Sequence, residues 1–254
     1  MKIINLISGP RNLSTALMYS FAQNKSITVL DEPFYGYYLA NANLKVTHPG
    51  TKEILKSLPR SKKQVLAHID GVSKTNKYVF IKGMAHHYLS KEPAHILPWN
   101  NVILIRHPEK LLASFSKVIK NPTLDDIGIK KAAELFTYLK SQGKTPLVID
   151  SDQLLKTPEV YLQKICKILG ISFTKQMLSW QKGGIQEDGV WAQYWYGNVH
   201  NSKGFTVQKT SNQEMPDSLQ NVLDQALIHY TILKNYILKT DTFACDRGYN
   251  LSLI

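Results

Sequence analysis

The sequence of 254 residues is poor in cysteine, in acidic residues and in long apolar runs. Its two cysteines, Cys166 and Cys245, are too few for a disulfide framework. No apolar run approaches the roughly 20 residues that a membrane-spanning helix requires. The charged Lys2 and the polar loop that soon follows it are unlike a cleavable signal peptide. These absences argue against disulfide-rich secreted proteins and membrane-spanning proteins, and we expect a cytoplasmic protein with Cys166 as a reduced core residue.

Basic residues outnumber acidic ones, 31 to 19, which gives a net charge of +12. Such a charge attracts anionic ligands, although a basic surface that serves only solubility is an equal alternative. No basic run carries the interleaved aromatics typical of nucleic-acid modules, so we expect no nucleic-acid partner. No metal-ligand spacing is evident, and we expect no metal. The 43% apolar content is that of an ordinary globular protein.

Candidate strands alternate with helical segments along the chain, which predicts an α/β fold with a central, mostly parallel five-stranded sheet. The predicted strands are 3–7, 27–30, 78–82, 102–106 and 146–150. The predicted helices are 13–23, 61–72, 110–120, 129–141, 159–169 and 216–238. We find no repeat or linker, and we expect one domain over residues 1–254.

Charged side chains lie at the end of each predicted strand or shortly after it. Ligands of open parallel sheets bind beyond the carboxyl ends of the strands, so these side chains predict a site there. They are Arg11, Asp31, Glu32, Lys82, Arg106, Asp150 and Asp152.

The segment from Ser8 to Thr15 joins the first strand to the first helix. A helix N-terminus presents free backbone N–H groups and a partial positive charge, which bind phosphate or sulfate. Arg11 adds a guanidinium that can grip an oxyanion through two hydrogen bonds. The loop lacks the second glycine and the lysine of a Walker A motif.

Arg106 ends the fourth strand, and Ser114 lies eight residues later on the next helix. This spacing turns the hydroxyl of Ser114 to the same side as Arg106, so a guanidinium and a hydroxyl can hold one phosphate. Either residue alone is common in structural roles. Their joint occurrence after the anion loop favours a second phosphate site.

The two motifs together resemble those of the sulfotransferases. The stretch Pro10-Arg11-Asn12-Leu13-Ser14-Thr15 is similar to the family's 5′-phosphosulfate loop, and Arg106 with Ser114 is similar to its 3′-phosphate motif. The resemblance implies a three-layer, P-loop NTPase-like fold. It also implies 3′-phosphoadenosine-5′-phosphosulfate (PAPS) as donor, adenosine 3′,5′-bisphosphate (PAP) as product, and donor contacts from Arg11, Asn12, Leu13, Ser14 and Thr15.

Three departures and one further match accompany this resemblance. Leu13 replaces the family's usual glycine, and we expect a helical backbone there. Ala16 and Ser151 replace a stacking tryptophan and a tyrosine near the adenine, so adenine recognition stays open. Lys203 and Gly204 resemble a shortened basic loop that covers the 3′-phosphate.

The resemblance also implies catalytic residues. Glu32 matches the glutamate that deprotonates the acceptor in sulfotransferases acting on sugars, while a helix-start or salt-bridging carboxylate is its structural alternative. Lys82 matches a lysine of cytosolic sulfotransferases that can share the sulfate charge, but Met84 occupies the position of their histidine. His86 or His87 can act as base or bind the acceptor, or simply cap a helix.

An aromatic-rich segment at about 182–210 predicts a lid or binding loop, with aromatics covering the core edge as the alternative. Together with the aromatic run Tyr35 to Tyr38 it suggests a partly apolar or sugar-stacking pocket for a small-molecule acceptor. Two other functions remain open: a nucleotide-dependent kinase, and a non-catalytic relative that binds nucleotide or anion. Nothing in the sequence indicates the oligomeric state.

Overall fold

A computed structural model describes residues 2–44, 48–205 and 214–239. Five strands form one sheet in the order β2-β3-β1-β4-β5, and every neighbouring pair is parallel. The strands are β1 Lys2–Ser8, β2 Ile27–Asp31, β3 Tyr78–Met84, β4 Asn100–Ile105 and β5 Leu147–Asp150. The five predicted strands and the parallel sheet are therefore confirmed, with ends that differ by two residues at most.

The helices cover both faces of the sheet. They are α1 Ser14–Ala22, α2 Tyr35–Asn41, α3 Thr51–Ser57, α4 Lys62–Thr75, α5 Pro108–Phe115, α6 Leu124–Ile127, α7 Ile129–Ser141, α8 Ser151–Lys156, α9 Pro158–Leu169, α10 Ala192–Trp195, α11 Gly197–His200 and α12 Gln220–Lys234. Two predicted helices are too long. The helix predicted at 110–120 is α5, which ends at Phe115 and is followed by turns as far as Pro122. The helix predicted at 216–238 is α12, which begins only at Gln220, after the 3-10 turn Asp217–Leu219, and ends at Lys234.

The strand β1 lies at the centre of the sheet, and its alternating side chains enter two cores. Ile4 and Leu6 pack on one face with α1 and α9, and Ile7 packs on the other with α4, α5, α7 and α12. Cys166 is buried and free in the first core, as predicted. The result is the predicted three-layer arrangement.

Parts of two sequence expectations lie outside the described residues. These are residues 206–210 of the aromatic-rich segment, and Cys245. Within the described ranges, no helix is long and apolar enough to cross a membrane. The same ranges contain no cluster of three or more histidine, cysteine or acidic residues suited to a metal ion.

Candidate active site

The loop between β1 and α1 has a backbone shape that the sequence analysis did not anticipate. Leu13 has a φ angle of 67°, in the left-handed region, so the expectation of a helical backbone there was wrong. Arg11, two residues earlier, has a φ angle of 61°. A branched or bulky residue in this region costs about 1–3 kcal/mol, which the surrounding contacts must offset. Leu13 therefore keeps the conformation that glycine adopts easily.

Hydrogen bonds from the neighbouring strand hold this loop in place. Asn12 donates from Nδ2 to the carbonyl oxygen of Leu104 at 3.2 Å, and its side chain is buried. The hydroxyl of Ser151 lies 2.7 Å from the carbonyl oxygen of Asn12 and 2.9 Å from that of Ile105. Ser151 thus anchors the loop to the end of β4.

The loop also needs a glycine at its start. A Cβ atom at Gly9 would overlap the carbonyl oxygen of Ile127, so no other residue fits without a shift of the backbone.

On the far side of the loop, no side chain caps the N-terminus of α1. Ser14 is buried and Thr15 is half-buried at this end. Backbone N–H groups at the start of α1 are therefore available to an anion.

Arg11, from the first predicted motif, lies beside Arg106 and Ser114, which form the second. Arg11 donates from Nε to the hydroxyl of Ser114 at 3.2 Å, and Arg106 donates from Nη1 to the carbonyl oxygen of Arg11 at 3.2 Å. Asp152 faces this group, with Oδ1 4.0 Å from Nε of Arg106, and also binds Lys110 at 2.6 Å. The guanidinium of Arg11 thus points toward the predicted 3′-phosphate residues.

This pair of arginines has unused capacity for an anion. Burial, and then the charge of Arg106, lower the pKa of Arg11. The Nε atom of Arg106 is buried and has no hydrogen-bond partner. An unsatisfied buried donor on a charged group is costly, and a bound anion would remove that cost. The residues present therefore fit an anionic group such as a phosphate.

A second cluster lies at the ends of β2 and β3. Asp31 is the register partner of Lys82, and the backbone N–H of Glu32 donates to the carbonyl oxygen of Lys82 at 2.8 Å. Glu32 has a φ angle of 42°, another left-handed non-glycine residue. The ammonium of Lys82 forms a close ion pair with Glu32 and lies 3.2 Å from Oδ1 of Asp31. All three side chains are buried.

Tyr196, from the aromatic-rich segment, completes this cluster. Its hydroxyl contacts Lys82 and both carboxylate oxygens of Asp31, and it accepts a hydrogen bond from Nε1 of Trp191 at 3.0 Å. The side chains of Tyr196 and Trp191 are buried. Trp191 and Tyr196 of the segment thus pack into the core and the site, and the segment also forms the short helices α10 and α11.

The buried charges perturb one another. Burial raises the pKa of Glu32 and the charge of Asp31 adds to this, while Lys82 opposes it. For Lys82, burial alone would lower the pKa, but the carboxylates of Asp31 and Glu32 outweigh it and raise the pKa. Burial raises the pKa of Tyr196 well above its ordinary value, so its hydroxyl stays protonated. Two carboxylates therefore share one ammonium.

His86 and His87 follow β3 and border this cluster. Burial lowers the pKa of His86 to about 4, and lowers that of His87 well below its ordinary value, so both are neutral at pH 7. His87 stacks on Tyr35, with ring centroids 4.8 Å apart, and its Nε2 lies 3.8 Å from Glu32. The ring of His86 lies 5.0 Å from that of Tyr38. The histidines thus connect the carboxylates to the aromatic run at Tyr35.

Lys203 and Gly204 lie beside Ser179 and Trp180. Lys203 is exposed, and its carbonyl oxygen accepts from the backbone N–H of Trp180 at 3.2 Å, while Gly204 bridges to Ser179. Among the described residues, no hydrogen bond joins Lys203 to Arg11, Arg106 or Ser114. The 3′-phosphate role of Lys203 and Gly204 stays a prediction.

The hydrogen bond between Tyr196 and Asp31 was not predicted from the sequence. The two residues are 165 positions apart, and no motif joins them. The only available signal was the aromatic-rich composition around Tyr196, which suggested a binding segment but not its partner. Three-dimensional packing alone brings them together.

Comparison with known proteins identifies the family. A family model described as a sulfotransferase domain matches residues 1–237. Two Arabidopsis thaliana proteins, named branched-chain-amino-acid aminotransferase-like proteins 1 and 2, are each 35% identical, over 93% and 92% of this chain. The chain spans 42% of the length of each, and the aminotransferase-like name describes those longer proteins.

Solved structures support the same fold. The sulfotransferase domain of the Synechococcus PCC 7002 olefin synthase is 17% identical, with a TM-score of 0.52, over 91% of this chain and 94% of that one. A sulfotransferase from Alicyclobacillus acidocaldarius is 14% identical, with a TM-score of 0.55, over 92% of this chain and 95% of that one. The fold, with the family match over most of the sequence, places this chain in the sulfotransferase-domain family.

Proposed function

We propose that this chain transfers a sulfuryl group from PAPS to a hydroxyl or amine of a small-molecule or sugar acceptor. The observation that carries the proposal is the juxtaposition of an uncapped helix N-terminus with two arginines and Ser114. An ATP site needs only the first of these features. A nucleotide with phosphate on both sides of its ribose uses both.

The donor contacts divide between two groups of residues. The amides and hydroxyls at Asn12, Leu13, Ser14 and Thr15 suit the 5′ end of the donor. Asn12 would contribute its backbone N–H, because its side-chain Nδ2 already donates to Leu104 and its carbonyl oxygen accepts from Ser151. Arg106 and Ser114 suit the 3′-phosphate, and Arg11 stands between the two groups because its Nε already contacts Ser114. Lys203 and Gly204 are proposed to cover the 3′-phosphate.

The donor supplies the sulfuryl group, and the chain supplies a base and charge stabilisation. The bond from sulfur to the acceptor oxygen or nitrogen forms while the bond from sulfur to the leaving phosphate breaks, and the acceptor proton passes to Glu32. The loop amides, Arg11, Ser14 and Thr15 stabilise the charge that develops on the phosphate. Positioned bases of this kind contribute about 10²–10⁴-fold.

The hydrogen bonds favour Glu32 over Asp31 as the base. Asp31 accepts from Tyr196, from the backbone N–H of Gly189 at 3.1 Å and from Lys82. Glu32 depends mainly on Lys82, and the hydroxyl of Tyr196 is 3.4 Å away. A pair of carboxylates in unequal surroundings divides into one that stays charged and one that takes protons.

Lys82 and His86 have supporting roles in this proposal. The ammonium of Lys82 has three protons and three partners, Glu32, Asp31 and Tyr196. Its role in the free protein is therefore to orient Glu32. To share the sulfate charge, it would have to release one of these partners. His86 lies beside Gly128, which packs against Gly9 of the donor loop. This placement suits His86 for contact with the acceptor or as an alternative base. A cytoplasmic location and the lack of a nucleic-acid partner stay predictions.

The test is a transfer assay with PAPS and a panel of alcohol, phenol, sugar and amine acceptors, with PAP release measured against sulfated product. We expect acceptor-dependent PAP release that persists in EDTA. Thermal stabilisation by ATP and Mg²⁺ but not by PAP would instead indicate a kinase. Stabilisation by PAP without turnover of PAPS would indicate a binding protein that does not catalyse transfer.

A further inference from the structure

The hydroxyl of Tyr196 has no hydrogen-bonding capacity left for a ligand. A tyrosine hydroxyl donates one hydrogen bond and accepts two. Here it donates to Asp31, whose oxygens lie 2.8 and 2.9 Å away, and it accepts from Lys82 and from Nε1 of Trp191. Tyr196 is therefore part of the site without being able to contact an acceptor through its hydroxyl.

Asp31 and Glu32 compete for Lys82, and the segment that carries Tyr196 affects the outcome. Two of the donors to Asp31, the hydroxyl of Tyr196 and the N–H of Gly189, come from this segment. They satisfy much of the hydrogen-bonding capacity of Asp31, and the contact of Asp31 with Lys82, at 3.2 Å, is the longer of the two that the ammonium makes to carboxylates. Lys82 is then free to form its close contact with Glu32.

We propose that Tyr196 is a positioning residue that satisfies Asp31 and thereby keeps Lys82 on Glu32, the base of the proposed sulfuryl transfer. The proposal rests on the proposed function for its catalytic meaning. The arrangement of hydrogen bonds that it describes can be tested in the ligand-free protein.

Several titratable groups surround Glu32 and bear on its protonation state. They are Lys82 on β3, Asp31 on β2, Tyr196 between α10 and α11, His87 after β3, and Tyr35 at the start of α2. Lys82 and Tyr196 favour the charged form of Glu32, and Asp31 opposes it. His87 and Tyr35 are neutral at pH 7.

This balance predicts shifts of opposite sign in two variants. Tyr196→Phe removes a donor from Asp31, so Lys82 moves toward Asp31 and the pKa of Glu32 rises further. Asp31→Asn removes the competing charge, so the pKa of Glu32 falls. A variant that merely loosened the site would admit water and lower the pKa in both cases, because burial is what raises it.

The experiment is a pH titration of ¹³C-carboxyl-labelled glutamate by NMR in the ligand-free protein, with Glu32→Gln to assign the resonance. We expect the Glu32 midpoint to move up in Tyr196→Phe, down in Asp31→Asn, and not at all in Tyr194→Phe, a matched change at a side chain that is 45% exposed. In the transfer assay, the acidic limb of kcat should move to higher pH in Tyr196→Phe.

An unchanged or lowered midpoint in folded Tyr196→Phe would overturn the proposal. If that variant does not fold, the double variant Asp31→Asn/Tyr196→Phe is compared with Asp31→Asn: an equal Glu32 midpoint supports the proposal, because Tyr196 then acts through Asp31, and a different midpoint overturns it. Because the titration needs neither donor nor acceptor, failure of the sulfotransferase assignment would leave its result intact.

Discussion

The two halves of the candidate site differ in how well their polar groups are satisfied. At the donor end, Arg106 keeps a buried Nε without a hydrogen-bond partner, and α1 has no side-chain cap. At the carboxylate end, the ammonium of Lys82 and the hydroxyl of Tyr196 are fully bonded. Unsatisfied donors are suited to holding a ligand. Satisfied ones are suited to fixing the protonation state and orientation of a base.

The largest effect should come from the carboxylate end. Glu32→Gln keeps the shape of the side chain but removes the proposed base, so kcat should fall by about 10²–10⁴-fold. PAP affinity should stay within about twofold, because the donor end is untouched. Steady-state kinetics with PAPS and calorimetry with PAP measure the two quantities. Equal losses in both would mean that the two halves do not have separate tasks.

The next largest effect should come from the donor end. Arg106→Ala removes the proposed charged partner of the 3′-phosphate, and PAP affinity should fall by about 10- to 100-fold. Affinity for 5′-AMP, which lacks that phosphate, should change much less. Arg60→Ala, at an exposed arginine, is the matched control. Equal weakening of both nucleotides would remove Arg106 from 3′-phosphate recognition.

A stability measurement sharpens the electrostatic side of the comparison. The pKa of Glu32 is raised in the folded protein, whereas the unfolded chain has the ordinary value near ~4.3. Between the ordinary and the raised pKa, the carboxyl group of Glu32 holds a proton in the folded state and has lost it in the unfolded state. The contribution of Glu32 to the free energy of unfolding therefore falls as the pH rises through the raised pKa. Urea unfolding from pH 4 to 8 should show a steeper decline for the wild type than for Glu32→Gln. Parallel curves would contradict a raised pKa.

The smallest effect concerns the backbone of the donor loop. Leu13→Gly suits the left-handed conformation, so we expect no loss in the free energy of unfolding and PAP affinity within about twofold. Ala113→Gly, inside α5, should cost about 1 kcal/mol. A similar loss in Leu13→Gly would mean that residue 13 is helical after all.

The sequence predicted the fold and the donor end better than the carboxylate end. Strand β1 and helix α1 follow from local hydrophobic patterns, and the spacing of Arg106 and Ser114 follows from helix geometry. The left-handed backbone at Leu13 could not be predicted from residue preference, because the loop is held through the neighbouring Asn12, which bonds to the distant residues Leu104 and Ser151. The pairing of Asp31 with Tyr196 depends on packing between distant segments, which no spacing rule records.

Calorimetric titration of the protein with PAP and with 5′-AMP, in EDTA, tests the central claim most directly. The two ligands differ only in the 3′-phosphate, which the account assigns to Arg106 and Ser114 with Arg11 beside them. We predict that PAP binds at least tenfold more tightly than 5′-AMP without any divalent metal. Equal affinities, or binding that appears only with Mg²⁺, would contradict the two-phosphate site.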